Sequence, residues 1–336
     1  MILENRIAAF IQLGNRLRNM PAEERQALAF AASSKNSWFD EENVSCALNG
    51  ITAFLDEQYL QEWIYPYKLN NIQPKKVGVV MAGNIPMVGF HDFLSVLISG
   101  HYLLAKRSSN DEVLITRLAQ MLIQIEPAFA PYIQFVERLN DSDAIIATGS
   151  DNTSRYFEYY FANRPHIIRK NRTSIGILTG HEERDDLHAL GEDISRYYGL
   201  GCRNVSKVFV PEGYTFDKFF EANADRVKLL DHHKYQNNYD YNKSILLVNR
   251  EPHFDNGFML IRESEQLVSP ISVLFYETFS SLQDLRQKLA AVKEKTQCVV
   301  AAHGWLEGSI PFGEAQCPMP WDYADGVDTL NFLQNL

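Results

Sequence analysis

The stretch Tyr198-Gly-Leu-Gly-Cys202-Arg-Asn-Val-Ser-Lys-Val-Phe-Val-Pro211 places a lone cysteine after two glycines, between a helical and an extended pattern. Residues 185–198 have the pattern of a helix, and residues 207–210 predict a buried strand. Gly199 and Gly201 leave little bulk beside the sulfur, so a substrate carbon has room to approach it. Two interpretations stay open from these residues alone. Cys202 is either a nucleophile or a small buried side chain of the core.

The composition is that of an ordinary globular protein, with 46% hydrophobic and 22% charged residues among 336. No apolar run reaches membrane-spanning length, and the first residues lack the apolar core of a signal peptide. The four cysteines form no CxxC pair, which argues against a zinc cluster or a disulfide framework and favours the cytoplasm. The net charge of −10 makes nucleic acid an unfavourable partner.

Four segments are expected along the chain. Residues 1–65 carry apolar positions at helical spacing and predict a helical segment that packs on the next domain. In residues 66–180, apolar strands alternate with helices over short connections, which predicts a parallel, doubly wound α/β sheet. Residues 181–310 predict a second α/β domain that contains the cysteine, and residues 311–336 form a C-terminal tail.

Two stretches of the second domain have less regular patterns. The polar and aromatic residues 231–242 predict a loop, followed by a strand at 244–248. The histidine pair in that loop has no carboxylate at ligand spacing, so no metal site is expected. Residues 268–275 predict a strand, and Pro270 inside it favours a sheet edge or a bulge.

Polar residues follow three strands of the first domain: Asn84, Lys106 and Ser150. Ligands of doubly wound sheets bind at the carboxyl ends of strands, so a ligand site is expected there. The chain has no GxGxxG or P-loop motif, but the helix after Thr148-Gly-Ser150 can hold an anion on its first N–H groups. The alternative is that Ser150 or Asp151 merely caps this helix.

The order of these motifs resembles the aldehyde dehydrogenase superfamily from Lys76 onward. Within it, the chain is most similar to the LuxC-type acyl-CoA reductases, through Met81-Ala-Gly-Asn-Ile-Pro86, Gly199-Leu-Gly-Cys-Arg-Asn-Val205 and Tyr323-Ala-Asp-Gly-Val-Asp-Thr329. The resemblance implies an aldehyde dehydrogenase-like fold and NAD(P)H-dependent reduction of an acyl-CoA or acyl-carrier thioester to an aldehyde. A related oxidoreductase that reduces acyl phosphates or oxidises aldehydes, and a non-catalytic binding protein, remain alternatives.

The resemblance implies roles for single residues. Cys202 matches the family nucleophile, and Asn84 matches the amide that helps to form the oxyanion hole. Lys106 matches the lysine that contacts the adenosine ribose. Gly149 and Ser150 match the start of the helix beneath the pyrophosphate.

Two further positions are implied less directly. His303 follows a buried strand and resembles the acid of acylating members, although a polar residue at a strand end is an equal alternative. Glu265 or Gln266 matches the position near the nicotinamide ribose, and of the two we assign Gln266 to this contact.

The segment after Lys106 bears on the choice of cofactor. NAD-preferring members commonly carry a glutamate three residues after this lysine, and Ser109 stands at that position. With Arg107 beside it, the loop favours NADPH over NADH, because a 2′-phosphate gains hydrogen bonds from basic groups. The alternative is that Arg107 points to solvent and Ser109 caps the following helix.

One segment departs from the hydrolytic members, which carry Glu-Leu-Gly-Gly-Lys where this chain has Arg169-Lys-Asn-Arg-Thr173. The water-activating glutamate is absent, and general-base help is worth about 10²–10⁴-fold. A persistent acyl-enzyme is therefore expected. The segment that drives oligomer formation in relatives is not recognisable, so a homo-oligomer and a partner enzyme that supplies acyl groups both stay open.

Overall fold

The computed structural model comprises residues 1–336 and describes all of them apart from the side chain of Asp151. The chain forms two compact units, the first made of Met1–Asn171 with Pro318–Leu336 and the second of Arg172–Cys317. The strand near residue 175, expected in the first domain, pairs instead with strands of the second unit. The tail from Pro318 belongs to the first unit.

The N-terminal segment is helical, as the apolar spacing predicts. Asp40 and Asp56 begin the third and fourth helices by accepting hydrogen bonds from the backbone N–H groups of Asn43 and Gln58. The four helices are α1 (Leu3–Arg18), α2 (Ala22–Ser33), α3 (Glu41–Phe54) and α4 (Glu57–Ile64).

The first unit contains a five-stranded parallel sheet in the order β3-β2-β1-β4-β5. Because neighbouring strands are parallel, their carboxyl ends lie at one edge. Its strands are β1 (Lys76–Val80), β2 (Tyr102–Lys106), β3 (Ile133–Phe135), β4 (Ala144–Thr148) and β5 (His166–Arg169), and its helices are α5 (Phe90–Ser99), α6 (Glu112–Ile125) and α7 (Asp151–Phe161).

The second unit contains a seven-stranded sheet in the order β12-β11-β6-β7-β10-β9-β8, parallel except for the antiparallel pair β8–β9. Val208 and Leu274 of this sheet share one hydrophobic core with Leu190 of a neighbouring helix. The strands are β6 (Thr173–Ile177), β7 (Val205–Pro211), β8 (Phe254–Asp255), β9 (Leu260–Glu263), β10 (Val273–Phe279), β11 (Thr296–Ala301) and β12 (Ile310–Pro311). The helices are α8 (Arg184–Ser195), α9 (Asp217–Ala222), α10 (His233–Asn249) and α11 (Leu282–Val292).

The prediction of a loop at 231–242 and a strand at 244–248 is wrong, because helix α10 covers the whole predicted strand and all but the first two residues of the predicted loop. Tyr235, Tyr239 and Leu246 are its buried residues, and spacings of four and seven place them on one helical face. The apolar run that suggested a strand contains Leu247 and Val248, which are exposed. Packing of a single face therefore outweighed local composition.

The expected strand at 268–275 begins later, at Val273, and Pro270 precedes it. It is not an edge strand, because β10 lies between β7 and β9. Pro270 instead accepts a hydrogen bond from the backbone N–H of Val273 through its carbonyl, so the proline shapes the turn into the strand.

The tail of the chain packs on the N-terminal helices within the first unit. The indole N–H of Trp63 donates to the Tyr323 hydroxyl at 2.8 Å, and the Tyr67 hydroxyl donates to Asp328 at 2.9 Å. The last helix is α12 (Thr329–Gln334). Across the described residues, no helix has the length and apolarity needed to cross a membrane.

Candidate active site

Cys202 lies in a tight turn of the second unit, between the end of α8 and the start of β7. The approach to it is strained, because Tyr197, Tyr198 and Gly199 all have positive φ, at 51°, 56° and 78°. For the two tyrosines this conformation is costly, and such strain is concentrated at functional sites. Cys202 itself is half-buried. A thiol in this position is held by its backbone while part of it stays accessible.

Asn204 fixes the turn from within. Its side-chain oxygen accepts from the N–H of Gly201 at 2.8 Å. Its amide donates to the carbonyls of Asp193, Ile194 and Arg196 at 3.0, 3.3 and 2.8 Å. These carbonyls belong to the last turn of α8, whose negative dipole end would disfavour a nearby thiolate. The amide of Asn204 therefore both caps the helix and reduces that negative field.

Ser174 on β6 fixes the turn from the neighbouring strand. Its hydroxyl donates to the carbonyl of Cys202 at 3.1 Å. The same oxygen lies 3.0 Å from the sulfur of Cys298 and accepts from the Cys298 N–H at 3.3 Å. A hydroxyl can donate once and accept twice, so the three contacts are compatible when the thiol of Cys298 donates. Cys298 thus supports the Cys202 turn through Ser174.

The carboxyl edge of the first sheet carries the other predicted residues. Asn84 is exposed in the loop after β1, and Lys106 is exposed at the end of β2. The two loops lie against each other, since a Cβ on Gly83 would stand 2.4 Å from the Ser108 hydroxyl. The structure therefore brings the Asn84 loop and the Lys106 loop together at the edge where a ligand of this fold is expected.

A buried carboxylate joins these loops. Asp111 accepts from the N–H of Met87 at 2.6 Å, and Met87 has a φ of 56°. Burial raises the pKa of Asp111 to about 7, against the opposing effect of the Met87 hydrogen bond. Its second oxygen is buried with no hydrogen-bond partner among the described groups. Sequence reasoning missed Asp111, because its partner is a backbone group 24 residues away.

Arg107 is less available than the sequence suggests. Its guanidinium donates to the Thr116 hydroxyl at 2.7 Å and lies 4.5 Å from the ring centre of Phe135. It therefore does not simply point to solvent. Ser109 is exposed in the same loop. The exposed side chains of this loop available to a ligand include Lys106 and Ser109.

Helix α7 begins at the end of β4, as the Thr148-Gly-Ser150 motif predicts. Ser150 is its N-cap and accepts from the N–H of Thr153 at 3.2 Å. The alternative cap, the Asp151 side chain, lies outside the described part of the chain. A Cβ on Gly149 would stand 3.0 Å from the Phe157 ring, so glycine fits the close packing at this helix start. The geometry is compatible with an anion on the first N–H groups.

Arg169, the first residue of the segment that departs from the hydrolytic pattern, is buried. One guanidinium nitrogen donates to both oxygens of Asp92 at 2.8 and 2.6 Å, and another donates to Thr329 at 2.9 Å. This ion pair links β5, α5 and the tail within the first unit. Arg169 is therefore a structural cation that is already paired within the first unit.

His303 and Cys202 lie at opposite ends of the second sheet. Cys202 precedes β7, whereas His303 follows β11, which runs in the same direction. His303 is 86% exposed and contacts Asp186 of the first turn of α8 at 3.5 Å. Cys298, beside the Cys202 turn, lies three residue steps, about 10 Å, before the end of β11, and His303 follows two residues beyond that end. Direct proton transfer needs about 3 Å, so this arrangement does not support His303 as the acid.

Gln266 lies in the loop that joins β9 to β10, beside Leu267, whose carbonyl accepts from the Ser206 hydroxyl of β7 at 2.7 Å. The side chains of Glu265 and Gln266 are both exposed. Both are therefore accessible to a ligand of the second unit. Within the described part of the chain, no three or more histidine, cysteine, aspartate and glutamate side chains are grouped to hold a metal ion.

A family model described as acyl-CoA reductase (LuxC) matches residues 16–245, about two thirds of the chain. The chain belongs to the acyl-CoA reductase (LuxC) family. The match includes the Asn84 and Lys106 loops, the Gly149-Ser150 helix start and the Cys202 turn. Comparison with curated proteins finds no match.

Solved structures similar to this LuxC-family chain include aldehyde dehydrogenases. The enzyme from Brucella melitensis biovar abortus 2308 has a TM-score of 0.66 at 13% identity, over 90% of this chain and 72% of its own. The NAD⁺ complex of the enzyme from Bacillus cereus has a TM-score of 0.61 at 14% identity, over 90% and 72%. Aldehyde dehydrogenase 21 from Physcomitrella patens, in complex with the reaction product succinate, has a TM-score of 0.65 at 14% identity, over 90% of this chain and 73% of its own. These likenesses confirm the aldehyde dehydrogenase-like fold.

Proposed function

We propose that this chain reduces an acyl thioester, carried by coenzyme A or by an acyl carrier, to an aldehyde with NADPH. The observation that carries the proposal is the Cys202 turn of a LuxC-family chain. It combines a half-buried thiol, positive φ at Tyr197 and Tyr198, and hydrogen bonds from Asn204 and Ser174. A nucleophile needs this combination of fixed geometry and access.

In the proposed reaction, the Cys202 thiolate forms a bond to the thioester carbon and the carrier's C–S bond breaks. The Asn84 amide and the Cys202 N–H donate to the oxyanion, by resemblance to the family. One such donor is worth about 2.7–4 kcal/mol of the barrier. Because His303 and Cys202 lie at opposite sheet ends, the proposal assigns the proton for the leaving thiolate to solvent.

The first unit is proposed to hold the cofactor. Lys106 would contact the ribose, Gly149 and Ser150 would lie beneath the pyrophosphate, and Gln266 of the second unit would contact the nicotinamide ribose. NADPH, when bound, supplies the hydride for the acyl carbon. The Cys202 S–C bond then breaks to release aldehyde, so that thioester, NADPH and a proton yield aldehyde, thiol and NADP⁺.

The surroundings of Arg169 support reduction over hydrolysis. A water-activating carboxylate is replaced by a guanidinium that is already paired with Asp92. Without a general base, the attack of water on an acyl-enzyme is slower by a factor of about 10²–10⁴. An acyl group on Cys202 would thus persist until it is reduced.

The test is NADPH oxidation by the purified protein with a panel of acyl-CoA chain lengths, with the aldehyde product trapped and identified. Thioester-dependent oxidation with aldehyde formed in equal amount supports the proposal. Activity with acyl phosphates or aldehydes alone would assign the chain to a different reaction of this fold. Nucleotide binding without turnover of any substrate would make it a binding protein.

A further inference from the structure

Lys207 is a charged side chain that the proposed reaction does not use, and it is 1% exposed within the second sheet. Burial of an ammonium group is costly unless the group is paired and hydrogen-bonded. Its nitrogen donates to Glu277 of β10 at 2.5 Å and to the carbonyl of Glu265 at 3.2 Å. The lysine therefore joins β7 to the loop that carries Gln266.

Neutralisation of Glu277 does not by itself explain this lysine. Lys288 of α11 also pairs with Glu277, at 2.5 Å to its other oxygen. Burial alone would raise the pKa of Glu277, but the hydrogen bonds from Lys207 and Lys288 outweigh burial and lower it. Lys207 differs from Lys288 in its deeper burial and in its bond to the Glu265 carbonyl.

Ser206 makes a second bond to the same loop. Its hydroxyl donates to the carbonyl of Leu267 at 2.7 Å. Adjacent residues of a regular strand point to opposite faces, so two neighbours rarely reach one segment. Here the pairing of β6 with β7 shifts, from Ser174 opposite Val205 to Ile175 opposite Lys207. Ser206 is the extra residue of this bulge, and bulges redirect side chains next to active sites.

The bulge begins three residues after Cys202, and the two carbonyls that it holds flank Gln266. Consecutive side chains of one strand therefore fix the segment on both sides of the proposed cofactor contact. Other bonds hold the two ends of this loop: the Ser264 N–H donates to the Tyr276 carbonyl at 3.0 Å, and the Asn242 amide donates to the Ile271 carbonyl at 3.0 Å. The nucleophile turn and the Gln266 loop thus share a support within one unit.

We propose that Ser206 and Lys207 are positioning residues that hold the Glu265–Leu267 segment in place for the nicotinamide half of the cofactor. The inference rests on the proposed function. According to this inference, loss of either side chain impairs nucleotide binding and hydride transfer, and formation of the acyl-enzyme at Cys202 is unaffected.

The test compares Lys207→Met with Lys288→Met, because each change removes one partner of Glu277 and only the first removes a bond to the loop. NADPH affinity is measured by fluorescence titration, and acyl transfer from labelled acyl-CoA to Cys202 is measured without nucleotide. Lys207→Met is expected to weaken NADPH binding about 10- to 100-fold. Its acyl transfer and the NADPH binding of Lys288→Met should stay within about threefold of wild type. Lys207→Arg should restore most of the binding.

Equal NADPH binding by wild type and Lys207→Met would overturn the inference, as would equal losses in both methionine variants. If Lys207→Met does not fold, Ser206→Ala carries the test, with an expected loss of about fivefold in NADPH affinity and unchanged acyl transfer. An unchanged affinity in Ser206→Ala would then overturn the inference. A wild-type protein that binds no nucleotide would instead overturn the proposed function, and the inference with it.

Discussion

Asp111 accepts a hydrogen bond from the backbone N–H of Met87 at 2.6 Å, and this bond joins the loop after β2 to the loop after β1. The first loop carries the proposed cofactor residues Lys106 and Ser109, and the second carries Asn84. Met87 keeps a left-handed backbone, which is unfavourable for a non-glycine residue unless its surroundings hold it. The position of Asn84 therefore depends on a carboxylate of the neighbouring loop.

Asp111 predicts a pH dependence of stability. Its pKa of about 7 in the folded protein lies above the unfolded value of 3.8, so its stabilising contribution is complete below pH 3.8. That contribution is lost as the pH rises from about 4 through about 7. Asp111→Asn should flatten this part of the pH profile and raise the Tm at pH 8, since the amide oxygen still accepts from Met87.

Thermal unfolding of both proteins between pH 4 and pH 8 measures this difference. Asp143→Asn is a suitable control, because Asp143 is exposed and also accepts a backbone hydrogen bond, at 2.8 Å from Lys76. A pH profile of Asp111→Asn that parallels the wild type would contradict the prediction.

Cys202→Ala should abolish aldehyde formation and leave NADPH binding within about twofold, because the sulfur forms the covalent bond but does not hold the nucleotide. Mass spectrometry after incubation with acyl-CoA should find the acyl adduct in wild type and not in the variant. Cys46→Ala and Cys317→Ala are the matched controls and should retain the adduct. Turnover by Cys202→Ala would refute the proposed mechanism.

Asn84→Ala should reduce kcat about 10²–10³-fold with little change in the KM for the thioester, as expected for a donor that acts in the transition state. Steady-state kinetics with the preferred thioester measures both parameters. Asn110→Ala, at another exposed position on the same sheet edge, should have little effect. A rise in KM at constant kcat would make Asn84 a substrate-positioning residue instead.

Ser109→Glu should shift cofactor preference from NADPH toward NADH, because a carboxylate repels the 2′-phosphate and can accept from a 2′-hydroxyl. Since Arg107 is bound to Thr116 and Phe135, the preference of the wild type is expected to rest mainly on Lys106. The measurement is kcat/KM for both cofactors. Asn110→Asp adds the same charge one residue later and controls for a general field effect. A wild-type preference for NADH would rule out this account.

Asn204→Ala should lower the free energy of unfolding by about 2–4 kcal/mol, because a buried side chain with four hydrogen bonds is lost and α8 carbonyls are left unsatisfied. Chemical denaturation gives the value. Asn249→Ala, at the exposed end of α10, should cost less than about 0.5 kcal/mol. If both variants lost the same free energy of unfolding, Asn204 would not be the residue that stabilises the Cys202 turn.

Much of the fold could be predicted because its strands are short apolar runs with clear breaks. In the first unit, β1, β2 and β4 are each followed by a helix, α5, α6 and α7, as the expected alternation of strands and helices requires. Helix α10 escaped prediction because its buried face holds two tyrosines, whose spacing is obscured by polar neighbours. The central position of β10 depends on pairing between distant strands, which no local pattern specifies.

For the candidate site, ordered motifs in the sequence single out Cys202 and Asn84, and their roles stay predictions. The contacts that hold the site residues in place could not be predicted from the sequence. Lys207 meets the Glu265 carbonyl across 58 residues, and its direction depends on a bulge at Ser206 that alternation does not indicate. His303 shows the converse, since a suitable residue type after a suitable strand lies at the other end of the sheet from Cys202.

Tyr323, Asp328 and Thr329 complete the first unit, although more than 140 residues of the second unit separate them from Asn171. On a ribosome, residues 172–317 therefore emerge in full before the bonds from Trp63 to Tyr323 and from Arg169 to Thr329 can form. Domains generally fold as they are synthesised, so the second unit can mature first while the first unit waits for its closing segment. A nascent chain stalled before Pro318 should accordingly protect the Cys202 turn from protease and leave the Arg169–Asp92 region susceptible.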